Sequence, residues 1–112
     1  MSDAWTFWRE SVAGKKPEVT PGFPQVGYYI GRHYVSLPNA QKRTLVDFPV
    51  AIWTENDEMI AKTESLEKSW FMTRIEEIDD MFGQVCRAPI SHERYLEMVR
   101  KLENYRNEFR TV

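Results

Sequence analysis

At 112 residues the chain is long enough for one compact core and too short for two, because a domain usually needs roughly 100 residues or more to bury enough surface. Hydrophobic residues at 42% and charged residues at 29% exclude the apolar-poor, one-signed composition of a disordered chain. A formal net charge of -2 excludes a broad basic field, so direct binding of DNA or RNA is not expected.

Residues 1–24 are predicted to form a short N-terminal helix and a proline-rich connector. Ser2 or Asp3 offers an oxygen to an orphan backbone N–H, and helical spacing puts Trp5, Trp8 and Val12 on one face, with Gly14 closing the helix. Pro17, Pro21, Gly22 and Pro24 then fix φ angles and remove donors, which leaves an extended connector.

Residues 25–63 are predicted to form a three-stranded antiparallel β-meander. In the first strand, Gln25 to Val35, alternation places Val26, Tyr28 and Ile30 on one face and Gly27, Tyr29 and Gly31 on the other. The glycines leave that second face bare, and Trp53 is the ring expected to fill it. Ser36 to Asp47 is polar and contains a proline, which predicts a long surface loop. Phe48 to Thr54 forms the second strand. Asn56 and Asp57 both tolerate a left-handed backbone, so they predict a two-residue hairpin returning as Glu58 to Thr63.

Residues 73–110 are predicted to hold two helices. Ile75, Ile78, Phe82 and Val85 recur at helical spacing over Thr73 to Arg87, with Thr73 as the cap. Pro89 stops that helix. Ser91 caps a longer one from His92 to about Phe109, whose apolar stripe is Tyr95, Val99, Leu102, Tyr105 and Phe109. The fold class that follows is α+β: a meander packed against two C-terminal helices, with a short N-terminal helix, in a single domain over 1–112.

The lone Cys86 excludes an internal disulfide and, with no zinc-type Cys/His spacing, points to a reducing compartment. The opening residues lack a secretory signal, and no stretch approaches the roughly 20 apolar residues of a membrane span, so a cytoplasmic location is expected.

Catalytic signals are sparse. Residues 51–91 hold 9 acidic and 4 basic groups, and Glu76, Glu77, Asp79 and Asp80 form an acidic helix face. Hard-cation sites usually draw oxygens from several elements, so this face is expected to be solvated rather than metal-bound. His33 and His92 lack partner spacing for base catalysis or metal binding. Cys86 sits beside Arg87, yet the end of the predicted helix opposes a thiolate. No phosphate loop or nucleophile elbow occurs. The expectation is a non-enzyme without cofactor.

Recognition signals are clearer. Tyr29, Arg32, His33 and Tyr34, followed by Lys42 and Arg43, combine aromatic area with charge in the manner of binding hot spots. The alternative assigns the tyrosines to the core. Trp5 and Trp8 form either a lid over the sheet or an exposed anchor, and the lid is favoured because a small sheet needs cover.

In order along the chain, Trp8-Arg9, Gly14-Lys15-Lys16-Pro17, Pro24-Gln25-Val26-Gly27-Tyr28-Tyr29, Pro49-Val50-Ala51-Ile52-Trp53 and Pro89-Ile90-Ser91 resemble small uncharacterised accessory proteins encoded by tailed bacteriophages and prophages. The resemblance implies the cytoplasm of a bacterial host as the setting, and implies no activity and no residue roles. The resulting expectation is a non-catalytic phage-type interaction module that binds a host or phage protein. Three alternatives stay open: an inhibitor of a host defence or nucleic-acid enzyme acting through the acidic face, a divalent-metal enzyme using the same carboxylates, and a homo-oligomer formed through an unpaired sheet edge.

Overall fold

The computed structural model describes residues 5–14, 24–35, 43–66 and 68–110. Its elements run α1 (Thr6–Val12), β1 (Gly27–Val35), β2 (Thr44–Glu55), β3 (Glu58–Glu64), β4 (Ser69–Met72), α2 (Ile75–Val85), β5 (Cys86–Pro89) and α3 (His92–Arg110). The fold is α+β. The sheet has five strands in the order β4-β3-β2-β1-β5, and every neighbouring pair is antiparallel. The predicted meander is therefore the middle of a wider sheet.

Local chemistry explains the meander. Asn56 and Asp57 adopt φ of 51° and 64°, and Glu55 pairs with Glu58 across them, giving the left-handed two-residue turn that matches strand twist. β2 starts earlier than predicted, at Thr44, because Thr44, Leu45 and Val46 pair with the outer end of β1. Residues 44–47 are thus strand, and the rest of the predicted loop, 36–42, lies outside the described residues.

Alternation on β1 separates two cores. Tyr29 points to the face covered by α2, where its ring meets Phe82 edge-on at 5.2 Å beside Val50, Ile52, Ala61, Ile78 and Met81. Tyr28 points to the opposite face, 4.7 Å from the Tyr95 ring of α3. The two C-terminal helices therefore sandwich the sheet instead of sharing one side. Ile75 departs from the predicted stripe of α2 and is exposed, while Met81 takes its place in the core.

The predicted helix over 73–87 splits. Its N-cap position is Arg74, not Thr73, and no side chain caps it. Cys86–Pro89 leaves the helix and pairs with β1, Gly31 opposite Cys86 and Tyr29 opposite Pro89, with a bulge between. A residue ahead of proline avoids helical geometry, and β1 offers an unpaired edge, so extension satisfies more backbone groups than another helical turn. Ser91 caps α3 as its sequence predicts: the Arg94 amide donates to Ser91 Oγ at 3.1 Å. Within the predicted stripe, Tyr95 and Leu102 are buried and Val99 and Tyr105 half-buried, and the Phe109 side chain lies outside the described residues.

α1 begins after Trp5, which occupies the N-cap position without capping the helix through its side chain; Ser2 and Asp3 lie outside the described residues. Val12 is exposed, and Phe7 is the side chain through which α1 joins the α2-side core.

Candidate interaction surface

The register of β1 divides it into two unlike halves. Its inner half pairs with both β2 and β5, whose pairing reaches only Gly31, while β3 begins to pair with β2 only at Val50. Beyond those limits Arg32–Val35 and Thr44–Asp47 pair with each other alone among the described strands. A two-stranded ribbon thus projects from the sheet, on a molecule measuring 52 × 28 × 27 Å.

Of the four β1 residues that the sequence marks for recognition, the ribbon carries all but one. Tyr34 stands opposite Leu45, and both are exposed, at 68% and 45%. Arg32 stands opposite Asp47 and donates through Nε to Oδ1 at 2.6 Å and through Nη2 to Oδ2 at 3.3 Å. Alternation puts both pairs on the α3 side of the sheet. His33 points to the other side, with its ring 5.4 Å from Phe48. Arg43 is exposed beside the start of β2, and Lys42 lies outside the described residues. Tyr29 is the exception: it is fully buried, and its hydroxyl donates to the Gln25 carbonyl at 2.8 Å. Where Asp47 approaches α3, a cleft of about 290 Å³ opens between them, lined also by Met98, Lys101 and Tyr105.

Trp5 and Trp8 belong to a ring cluster. They lie 5.5 and 5.4 Å from Tyr28, which stacks on His92 at 4.9 Å, and Trp8 Nε1 donates to the Ile90 carbonyl at 2.7 Å. Both are half-buried, the arrangement of a lid. Trp8 also fills the space at Gly27, where an added Cβ would sit 2.8 Å from Trp8 Cδ1. Trp53 does not serve there: it is on the α3-side face, edge-on to Phe71 at 6.1 Å, with Nε1 donating to Glu55 Oε1 at 3.3 Å.

On α2, Glu76, Glu77 and Asp80 are exposed and Asp79 is half-buried, with Glu77 3.8 Å from Arg74. Carboxylates in the first turn complement the positive end of the helix dipole, which accounts for two of them. Among the described residues no group of three or more His, Cys, Asp or Glu could hold a metal ion, and no helix is long and apolar enough to cross a membrane. Cys86 is half-buried against Met81, and burial pushes its thiol up to about 12, which leaves it protonated and a poor nucleophile.

Two features escape sequence reading. Glu64 is 2% exposed, and Arg106 Nη2 reaches its Oε2 at 2.9 Å and the Ser65 carbonyl at 2.6 Å, fastening the far end of α3 to β3. The second is β4, the outermost strand, whose Trp70 and Phe71 are exposed. No protein-family model, curated protein or solved structure matches the chain.

Proposed function

We propose that the chain is a small non-catalytic accessory protein of the phage type, working in a bacterial cytoplasm as a protein-interaction module. The observation that carries this reading is the Tyr34–Leu45 pair, two large side chains held side by side and exposed on a ribbon that, among the described residues, two strands form. An exposed aromatic on a pre-ordered strand gives contact area at little entropic cost, and the adjoining Arg32–Asp47 pair gives a polar rim. A host or phage protein is the partner in this reading.

The test is affinity capture from a bacterial lysate with tagged chain, alongside a Tyr34→Ala, Leu45→Ser variant of unchanged circular dichroism. One protein retained in stoichiometric amount by the natural chain and lost by the variant is the expected result. Equal retention by both removes the ribbon from the argument. Loss on reversing Glu76, Glu77 and Asp80 to Lys, with the ribbon intact, would transfer the reading to an inhibitor acting through its acidic face.

A further inference from the structure

The two edges of the sheet are built differently. The β5 edge is blunted: Pro89 lacks an N–H, a bulge interrupts its pairing with β1, and Trp8 of α1 bonds the Ile90 carbonyl just past the strand. The β4 edge, four residues long, shows none of these three features among the described residues. Ser69-Trp70-Phe71-Met72 contains no proline and no charge, its register with β3 is unbroken, and among the described residues no strand lies outside it. Apolar surface flanks this edge on both faces of the sheet. On the α2 side are Trp70 and Ile75, 36% and 48% exposed, and on the α3 side are Phe71, 61% exposed, and the Trp53 ring it touches.

We propose that β4 is a dimerisation edge, pairing antiparallel with β4 of a second copy of this chain to give a continuous ten-stranded sheet. Backbone donors and acceptors left on the outer side of a regular edge strand are a template for a strand-shaped partner, and β4 is itself such a partner. A two-fold axis perpendicular to the sheet sets Phe71 against the second copy's Phe71, and Trp70 against the second copy's Met72. Each face then continues unbroken, because residues of equal parity meet. Aromatic side chains meeting across an antiparallel ladder are among the favourable cross-strand pairs. On the α3 side the result is a row of four rings, Trp53 and Phe71 from each copy. A second copy is favoured over an unrelated peptide because the same four residues supply both the uncharged edge and its apolar complement.

The inference is independent of the ribbon reading, since Tyr34 and Leu45 lie beyond the opposite side of β2's pairing with β3. Sedimentation velocity over a micromolar to sub-millimolar series tests it on the full chain. The expected result is a concentration-dependent dimer that Phe71→Lys weakens by at least about tenfold in dissociation constant, while Tyr34→Ala leaves it unchanged. Phe71 is exposed, so a charge there should leave the circular dichroism intact. If Phe71→Lys disturbs folding, hydrogen exchange on the natural chain decides: β4 amides should slow with rising concentration and those of Thr44–Asp47 should not. A natural chain that remains monomeric throughout overturns the proposal. So does a dimer indifferent to Phe71→Lys, or one whose β4 amides exchange independently of concentration.

Discussion

Tyr29 and Tyr34 lie on the same strand, five positions apart, and meet opposite conditions. Around Tyr29 the strand has neighbours on both sides, α2 on one face and α3 on the other. Around Tyr34, among the described strands, it has β2 alone. Residue type is identical, so the difference comes from β5 and the helices, which are delivered by residues far along the chain. A tyrosine is a core residue where those elements arrive and a solvent-exposed one where they do not.

The largest expected effect breaks this comparison directly. Tyr29→Ala empties the centre of the α2-side core and leaves the Gln25 carbonyl without its donor. It should cost about 4 kcal/mol, in the range of large-to-small aromatic truncations. Tyr34→Ala should change stability by no more than about 0.5 kcal/mol, as an exposed substitution. Urea titration of both variants measures the gap, and similar losses would show that the ribbon is part of the core. The same contrast makes Tyr29 unsuitable as a probe of binding.

The next effect concerns how the covered half is held shut. Arg106→Ala leaves the Glu64 carboxylate buried with, among the described residues, Lys62 Nζ, 3.6 Å from Oε1, to answer it. Breaking one side of a buried ion pair typically costs about 3 kcal/mol, because a charge is left without its partner in a poorly solvated site. Thermal melting reads that loss. Arg32→Ala, on the ribbon, interrupts an ion pair of better geometry but with both partners solvated, and should barely move the melting temperature.

Sequence legibility follows the same division between local and distant causes. The Asn56-Asp57 turn, the Ser91 cap and the alternation of Tyr28 with Tyr29 were readable because each depends on a few adjacent residues. β4 and β5 were not. Four residues are too few to show a period, and Cys86–Pro89 continues a helical pattern until β1 captures it. Trp53 and Trp8 are both rings able to cover Gly27, and only the path of α1 selects Trp8. Glu64 and Arg106 stand 42 positions apart, so each looks like an ordinary surface charge. For the ribbon, the Tyr34 and Arg32 signal was present in the sequence, but the points at which β3 and β5 stop pairing are a property of the register.

Alkali should sharpen the comparison by loosening the covered half. Cys86, Tyr28, Tyr29 and Tyr95 all lie there, and burial raises each of them above its ordinary value, with Cys86 and Tyr95 reaching about 12. Each acid therefore stays protonated in the folded chain at a pH where the unfolded chain has lost the proton. Their contribution is complete below the ordinary values and lost as pH rises through the raised ones, so stability falls from 9.0 for Cys86 and from 10.0 for the tyrosines. Within that window the Cys86 thiol removes on the order of 1 kcal/mol per pH unit, and Tyr28, which keeps more of its surface in water, removes less. Urea midpoints between neutral pH and about 12 measure the decline. Cys86→Ala should delay its onset to near 10.0, and an onset unchanged by that variant would remove the thiol from the account.

The smallest expected loss within the covered half tests where α3 gains its hold on it. Ser91 accepts the Arg94 amide through Oγ while its carbonyl accepts the Tyr95 amide at 3.0 Å, so the cap fixes the helix just where Tyr95 meets Tyr28. Ser91→Ala leaves the Arg94 amide to water and should cost about 1 kcal/mol. Ser91→Asp should recover most of it, since a carboxylate accepts the same bond and favours the positive end of the dipole. A structural cap predicts this order of melting temperatures, natural chain and Asp above Ala. It also predicts that hydrogen exchange in the Ala variant quickens first in the opening turn of α3 and leaves the ribbon strands unchanged. Equal quickening in both regions would mean that the ribbon depends on α3 for its order, and the two halves of β1 would then be one cooperative unit.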